Sequence, residues 1–350
     1  MICLLGKYKT KTVIVSLLVL LGFVIIFAAT VGPAHISISE AFRIIMSEIP
    51  VIKNFVPAEE LLISHRVIVL QVRLPRIFLG LFVGAALAAV GAALQGLFKN
   101  PMADPYVIGV SSGAALGATV AIVSKLDAYF LGMGAVPMMA FGGALITTFI
   151  VYNLARIGRK VPVSTLLLAG IATGSFFQAI ISFMMVLNSQ KLEQIVFWLM
   201  GSLSAKSWDH VIMSGPYVMI GILVIYCFAR DLNILVVGEE SARNLGVEVE
   251  RVKKILLAAA ALVTAAAVSV SGIIGFVGLI VPHMVRMIVG PDHRILIPVS
   301  ALFGSTFMII TDTVARTVIA PTEIPVGIIT ALFGGPFFIY LLRKRKSSMF

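Results

Sequence analysis

Hydrophobic spans of about twenty residues recur along almost the whole chain, with short polar segments between them. Roughly 20 consecutive apolar residues carry an α-helix across a bilayer. The spans follow the periodicity of whole helices, not the short alternating segments of a membrane barrel. The pattern predicts ten membrane-spanning helices. Their predicted bounds are 13–31, 75–95, 105–123, 135–155, 163–187, 209–229, 254–271, 275–289, 296–316 and 325–342.

The eighth predicted span, 275–289, is short for a crossing. If it is tilted or re-entrant and does not cross, nine helices span the membrane and the C-terminus lies outside. With ten crossings and the N-terminus inside, two thirds of the 27 Lys and Arg residues fall on inner segments, as the positive-inside rule requires. We therefore predict ten crossings with both termini in the cytoplasm.

The composition agrees with a chain that is mostly embedded in lipid. It is 59% hydrophobic and 12% charged, whereas soluble domains have about 45–50% apolar and about 25% charged residues. We predict an all-α protein of the cytoplasmic membrane, with the lipid bilayer as its solvent. The net charge of +11 follows from the topology, so no nucleic-acid partner is expected. The two cysteines are too few for a disulfide framework or a zinc site, and neither a metal nor a cofactor is predicted.

Glycine and alanine dominate the span 75–95, in which Gly80 and Gly84 form a G-x-x-x-G pair. Small side chains let helix backbones approach closely in lipid, where no hydrophobic drive brings helices together. The alanine-rich span 254–271 has the same character. Both spans are predicted to lie in the middle of the bundle.

Three arginines mark the predicted outer face: Arg73 and Arg76 at the predicted start of the second helix, and Arg316 at the end of the ninth. They could anchor helices to lipid headgroups, and Arg316 could pair with Asp312 one turn earlier. Because a cation at a helix N-terminus opposes the macrodipole, Arg73 and Arg76 are not placed to stabilise their own helix. The functional alternative is a ring of cations that receives carboxylates of an extracellular partner, a task that suits the guanidinium fork.

The longest inner segment, 230–254, contains a predicted short helix. Gly238 opens it, Glu239 and Glu240 occupy its first turn, and Gly246 stands past its end, which are ordinary start and stop signals. It could be a plain surface helix. It could also be the surface on which a cytoplasmic partner acts, since the chain has few other long inner segments.

Several motifs are missing from the sequence. There is no G-x-x-x-x-G-K-[ST] loop, so the chain does not bind ATP by the P-loop mechanism. No H-E-x-x-H or G-x-S-x-G motif indicates an enzyme, and no catalytic residue is predicted. No span carries the series of buried acids expected of a proton relay. The remaining classes are a transport pathway energised by another protein, a secondary transporter driven by an ion gradient, and a structural membrane protein.

Seven ordered motifs resemble the membrane permeases of type II ABC importers, which serve cobalamin, ferric siderophores and haem. The resemblance covers roughly 70–345. The motifs are R-L-P-R (73–76), L-Q-G-L-F-K-N-P-M-A-D-P (94–105), G-V-S-S-G-A (109–114), G-E-E-S-A-R-N-L-G (238–246), G-F-V-G-L-I-V-P-H-M-V-R (275–286), D-T-V-A-R (312–316) and P-V-G-I-I-T-A-L-F-G-G-P-F-F (325–338).

The resemblance implies one transmembrane permease domain over 1–350, with an outer segment at 32–74 and a coupling segment at 230–254. It implies a homodimer with a translocation path along its interface, two ATPase subunits below and a substrate-binding protein above. The outer arginines Arg73, Arg76 and Arg316 would then receive glutamates of the binding protein. The family's ATPase contacts map onto Gly238, Glu239, Glu240, Ser241, Ala242, Arg243, Leu245 and Gly246.

The family's path lining maps onto the fifth predicted helix, 163–187, with Ser175 and Gln178 as candidate residues. The cargo would be a metal chelate. An iron chelate such as a ferric siderophore is favoured because that group is the largest, while cobalamin, haem and oxyanions stay open. The main alternative is a secondary transporter that works on an ion gradient without an ATPase.

Overall fold

The computed structural model describes residues 2–32, 34, 36–48, 62–126, 129–130, 133–158 and 160–347, and these form a helical bundle. The helices are α1 Ile2–Thr30, α2 Ile38–Ser47, α3 Ile63–Val67, α4 Leu74–Leu97, α5 Val110–Val123, α6 Ala135–Ala155, α7 Val163–Leu187, α8 Leu192–Leu199, α9 Trp208–Cys227, α10 Ala229–Val237, α11 Glu239–Asn244, α12 Val249–Ser271, α13 Val277–Val289, α14 His293–Ala315 and α15 Val326–Ser347. Two short strands, β1 Tyr129–Phe130 and β2 Met133–Gly134, pair antiparallel.

The all-helical membrane class is confirmed, since helices occupy all ten predicted spans. Seven helical runs of the described residues are long and apolar enough to cross a membrane: α1, the continuous run from α3 through α4, α6, α7, α9, α12 and α14. Shorter apolar helices, α5, α13 and the first part of α15, fill the other three predicted spans. The number of crossings and the side on which each terminus lies stay predictions.

Three predicted segments are further divided in the structure. The span 105–123 opens with a separate 3₁₀ turn, Pro105–Ile108, and α5 begins only after Gly109, whose φ of 83° is left-handed. The inner segment 230–254 is not a loop around one helix, because α10 fills its first part and α12 begins at Val249. The outer segment 32–74 contains α2, and its last residues are already helical.

The helix that carries the first two outer arginines begins much earlier than predicted. α3 runs through a π-helical turn, Ile68–Arg73, into α4, so one helical stretch extends from Ile63 to Leu97. Arg73 and Arg76 therefore lie inside a continuous helix and not at its N-terminus. The expected conflict with the helix macrodipole does not arise there, because that effect falls off within the first turn.

The two alanine-rich helices lie in the middle of the bundle, as predicted. The most apolar stretch of the Ile63–Leu97 run is 83% buried within the chain and that of α12 is 78% buried, whereas the value for α7 is 17%. α4 packs most extensively against α14, and α12 packs against α6 and α9. Side chains of one carbon leave room for neighbours on every side of α4 and α12.

Backbone contacts between glycines set the spacing of the central helices. A Cβ atom on Gly84 would clash with the carbonyl group of Gly304 in α14 and would lie 2.7 Å from the Cβ of Met308. Gly304 meets the carbonyl oxygen of Gly84 in the same way. Gly80, its predicted G-x-x-x-G partner, instead faces the Leu203 side chain, with 3.3 Å available. Gly84 is therefore the residue of that pair that fixes the approach of α4 to α14.

Replacing Gly84 by valine should lower the free energy of unfolding by about 1–3 kcal/mol, because the new side chain overpacks the contact of α4 with α14. Unfolding of the purified chain in mixed micelles measures the change. Gly142→Val is the matched control, since no neighbouring atom lies within 4 Å of the position that a Cβ atom on Gly142 would take. Equal losses in the two variants would contradict the role of Gly84.

Candidate functional site

The outer arginine cluster comprises Arg73, Arg76, Arg316, Asp312 and Glu323. The three arginines expose only 3%, 8% and 5% of their surface. Asp312 is equally buried, whereas the Glu323 side chain is 36% exposed. Three cations and two carboxylates leave a net charge of +1. A buried charge is stable only when paired or hydrogen-bonded, so the partners of each guanidinium decide what the cluster does.

Arg73 and Arg316 hold the C-terminal turn of α1. The two terminal nitrogens of Arg73 donate to the carbonyl oxygens of Ala29, Thr30 and Ala34 over 2.7–2.8 Å. Arg316 donates from Nη2 to the carbonyl oxygen of Ala28. The last carbonyl groups of a helix have no N–H donor within the helix, and they carry the negative end of its dipole. Two cations placed there fix α1 against α4 and α14.

Arg76 joins α4 to α14 and to the loop that precedes α15. Its Nε and Nη2 donate to the two carboxylate oxygens of Asp312 over 2.8 and 2.9 Å, in a bidentate pair. Its Nη1 donates to both oxygens of Glu323 over 2.8 and 2.9 Å. One guanidinium thus binds two carboxylates, and only the Glu323 side reaches the surface.

Arg316 does not pair with Asp312 among the described residues, although their spacing of one turn allowed it. The Asp312 carboxylate turns to Arg76, which is 236 residues away in the sequence, and Arg316 turns to α1. The arginines are also not exposed headgroup anchors in the described structure. Glu323 is the member of the cluster that the sequence did not indicate, because an acid in a loop carries no signal of its partner.

The predicted coupling helix is present as α11, and its ends follow the signals in the sequence. Gly246 has a left-handed φ of 83°, its N–H donates to the carbonyl of Arg243, and the Val247 N–H donates to that of Ala242. These two bonds form a Schellman motif. Gly238 lies in extended backbone between α10 and the first turn of α11.

One face of α11 contacts the bundle and the other is free. Ala242 is fully buried, whereas Glu240, Ser241, Arg243 and Leu245 are exposed. Leu245 exposes 70% of its surface. The exposed face of α11 thus combines charged side chains with one apolar side chain.

An ion pair fixes α11 to the start of α12. The Lys253 Nζ donates to Glu239 over 2.7 Å and approaches Glu250 at 3.5 Å. This hydrogen bond from Lys253 lowers the pKa of the Glu239 carboxyl. A force on α11 would therefore act directly on α12, one of the two central helices.

Ser175 and Gln178 lie on the exposed side of α7. We call Ser164, Ser175, Gln178 and Ser182 the polar stripe of α7. These positions are separated by nearly whole numbers of helical turns, so they lie along one face of the helix. Exposed polar side chains on a membrane helix are unfavourable against lipid. This face therefore suits contact with water or with another protein.

The hairpin that follows α4 is tied to the segment before α13. The Tyr106 hydroxyl donates to the Ile274 carbonyl over 2.9 Å and accepts from the Ile274 N–H over 3.2 Å. Asp104 accepts from the Tyr106 N–H, and burial raises the pKa of its carboxyl to about 6.

Among the described residues, no group of three or more His, Cys, Asp or Glu side chains could hold a metal ion.

Known proteins are similar to this sequence over most of its length. The sequence profile of the FecCD transport family matches residues 18–344. The cobalamin import system permease protein BtuC of Halobacterium salinarum is 46% identical in an alignment that covers 94% of this chain and 95% of that protein. The hemin transport system permease protein HmuU of Yersinia pestis is 41% identical, covering 79% of this chain and 83% of the relative.

A solved structure shares the fold as well. It shows an inward-facing conformation of a metal-chelate type ABC transporter and superposes with a TM-score of 0.80 at 30% identity. The match covers 96% of this chain and 99% of that one.

Asp312→Asn should lower the free energy of unfolding by on the order of 3 kcal/mol, because it removes the buried carboxylate that neutralises Arg76. Glu323→Gln is the matched comparison and should change it by less than about 1 kcal/mol, since that pair reaches the surface. Unfolding in mixed micelles provides both values. A loss in Glu323→Gln as large as that in Asp312→Asn would contradict the assignment of Asp312 as the structural partner.

Proposed function

The chain belongs to the FecCD transport family, and on that premise we propose how it works. It is a multi-pass permease of the cytoplasmic membrane, of the type that ABC importers use for metal chelates. We propose that two copies form the translocation path, that two separate ATPase subunits energise it, and that a substrate-binding protein delivers the cargo. The observation that carries the proposal is the full-length agreement with a metal-chelate type ABC transporter, at a TM-score of 0.80.

The proposed cargo is a bulky metal chelate, with cobalamin as the first candidate. The archaeal cobalamin permease is 46% identical and spans 94% of this chain. Permeases named for hemin and for iron(3+)-hydroxamate are 41% and 38% identical over about four fifths of it. This order replaces the preference for an iron chelate that rested on group size alone, and haem and ferric siderophores remain the alternatives.

The polar stripe of α7 supports a path at the interface of two copies. α7 is the least buried of the long apolar helices in the described residues, and Ser175 and Gln178 lie on its free side. A second copy would cover the apolar part of this surface. Hydroxyl and amide groups would line the gap and bind a chelate weakly, as release requires.

The coupling proposal places the ATPase subunits on α11. Its contact residues are those predicted above, with Leu245 as the exposed apolar contact and Glu240 and Arg243 as exposed charges. Because Lys253 links Glu239 to α12, closure of the ATPase dimer would move the central helix with α11. The two halves would then rock and open the path to alternate sides.

Docking of the binding protein on Arg73, Arg76 and Arg316 requires that a guanidinium be reachable. Arg76 is the best placed, because its Nη1 already binds a carboxylate that comes from the surface. We propose that a glutamate of the binding protein takes the place of Glu323 on Arg76, while Arg73 and Arg316 keep their contacts with α1. In this exchange one carboxylate replaces another, so the Arg76 guanidinium stays paired.

Reconstitution separates the importer from a secondary transporter. This chain and its ATPase are reconstituted in liposomes, with ATP inside and the loaded binding protein outside. These liposomes should accumulate labelled cyanocobalamin, and haem and a ferric siderophore are tested in parallel. The chain alone should accumulate none of them under a proton or sodium gradient. Gradient-driven uptake by the chain alone would overturn the proposal.

The same liposomes test the coupling surface. Leu245→Asp should abolish ATP-driven uptake without changing the unfolding midpoint, because Leu245 has 70% of its surface exposed. Arg251→Ala is the control at the same end of the bundle, where the Arg251 side chain is 71% exposed. Normal uptake by Leu245→Asp would remove α11 from the coupling pathway.

A further inference from the structure

A cavity of about 350 Å³ lies between the C-terminal half of α6 and the N-terminal half of α12. It is not part of the outer arginine cluster, of α11 or of the polar stripe of α7. Phe149, on its α6 side, exposes 69% of its surface, and Ala258, on its α12 side, is also exposed. The cavity is therefore a groove on the outside of the bundle.

One end of this groove carries two cations and no carboxylate. Arg156 and Lys254 both line it, together with Tyr152 and Asn153. The Nε of Arg156 donates to the Gly158 carbonyl over 2.7 Å, which leaves its two terminal nitrogens free to bind a further acceptor.

The nearest acid along α12 is already engaged. Glu250 lies one turn before Lys254 and accepts from the Lys253 Nζ and from the Val161 N–H. Within the described residues, no carboxylate forms an ion pair with Arg156 or Lys254. The positive end of the groove thus has no counter-charge of its own.

The rest of the groove is apolar apart from Thr148, whose hydroxyl donates to the Ala144 carbonyl, and it runs toward the middle of α6 and α12. On α12, Ala258 and Ala261 follow Lys254 at helical spacing and leave a shallow channel. On α6, Leu145 and Phe149 form the facing wall. Such a channel accepts a hydrocarbon chain, whereas a soluble protein or a free anion would contact only its charged end.

The charged end also lies at the ends of two apolar helices. Arg156 directly follows the last residue of α6, and Lys254 is five residues into α12. The ion pair of Lys253 with Glu239 places α11 at this same end. Basic side chains just beyond the hydrocarbon region attract the phosphates of anionic lipids.

We propose that this groove binds an anionic phospholipid. Its phosphate would lie between the Arg156 guanidinium and the Lys254 ammonium, with the Tyr152 hydroxyl as a further donor. One acyl chain would lie along Ala258 and Ala261. The bound lipid would link the ends of α6 and α12 beside the proposed coupling segment.

Lipid binding to the purified, delipidated full chain tests the proposal, with adducts counted by native mass spectrometry. The probes are dioleoylphosphatidylglycerol, dioleoylphosphatidylcholine, which has the same chains without net charge, and glycerol 3-phosphate, which has the phosphate without chains. The phosphatidylglycerol should bind most tightly, and glycerol 3-phosphate should not compete with it. Competition by glycerol 3-phosphate at equal concentration would instead identify a free-phosphate site and overturn the proposal.

Two variants distinguish the charged end from the channel. Arg156→Gln with Lys254→Gln should weaken phosphatidylglycerol binding by on the order of tenfold, to the level of phosphatidylcholine. Ala258→Leu keeps both charges and fills the channel, so it should weaken the binding of both lipids. Unchanged phosphatidylglycerol binding in either variant would overturn the proposal.

The matched control removes two other cations from the same end of the bundle. Arg230→Gln with Arg251→Gln has the same net charge as the first variant, and both side chains are exposed outside the groove. It should bind phosphatidylglycerol as the unaltered chain does. An equal loss in this control would show adsorption to overall charge and would contradict a defined site.

Discussion

Three buried guanidinium groups constrain this fold more than any other feature, because each has to find its acceptors within the chain. Arg73 and Arg316 take the last carbonyls of α1, and Arg76 takes Asp312 and Glu323. These bonds fix α1, α4 and α14 to one another at one end of the bundle. The close contact of Gly84 with Gly304 continues the same α4–α14 junction toward the middle of the membrane. The three helices are therefore held together at this end by hydrogen bonds, ion pairs and close backbone packing.

The parts that we propose to move or to meet partners differ from that junction in their burial. α11 turns one buried alanine inward and presents charged residues and Leu245 outward, and α7 leaves most of its surface uncovered in the single chain. Both leave exposed surface that a partner could cover, whereas the α4–α14 junction is already packed within the chain. A permease that rocks between two states needs this combination, with firm cores in each half and free surfaces where the halves and the ATPase meet.

The helices could be predicted because their ends carry local sequence signals. The contacts of the outer arginine cluster could not, because they join residues that are far apart in the sequence. The spans 135–155 and 163–187 agree with α6 and α7 to the residue, since glycine or proline directly precedes each helix. Gly238 and Gly246 likewise located α11. The early start at Ile63 was missed because the polar residues before Arg73 hide a helix that continues outside the hydrocarbon region. The partners of Arg76 were missed because 236 and 247 residues separate them from it, and a nearby acid, Asp312, suggested the wrong partner for Arg316.

A double-mutant cycle on Arg76 and Asp312 tests most directly whether this buried pair holds the outer end together. Arg76→Gln and Asp312→Asn are made singly and together, and the free energy of unfolding is measured for each in mixed micelles. The account predicts that the double variant loses much less than the two single losses combined, with a coupling energy of about 2 kcal/mol. Single losses that add to within about 0.5 kcal/mol would contradict it.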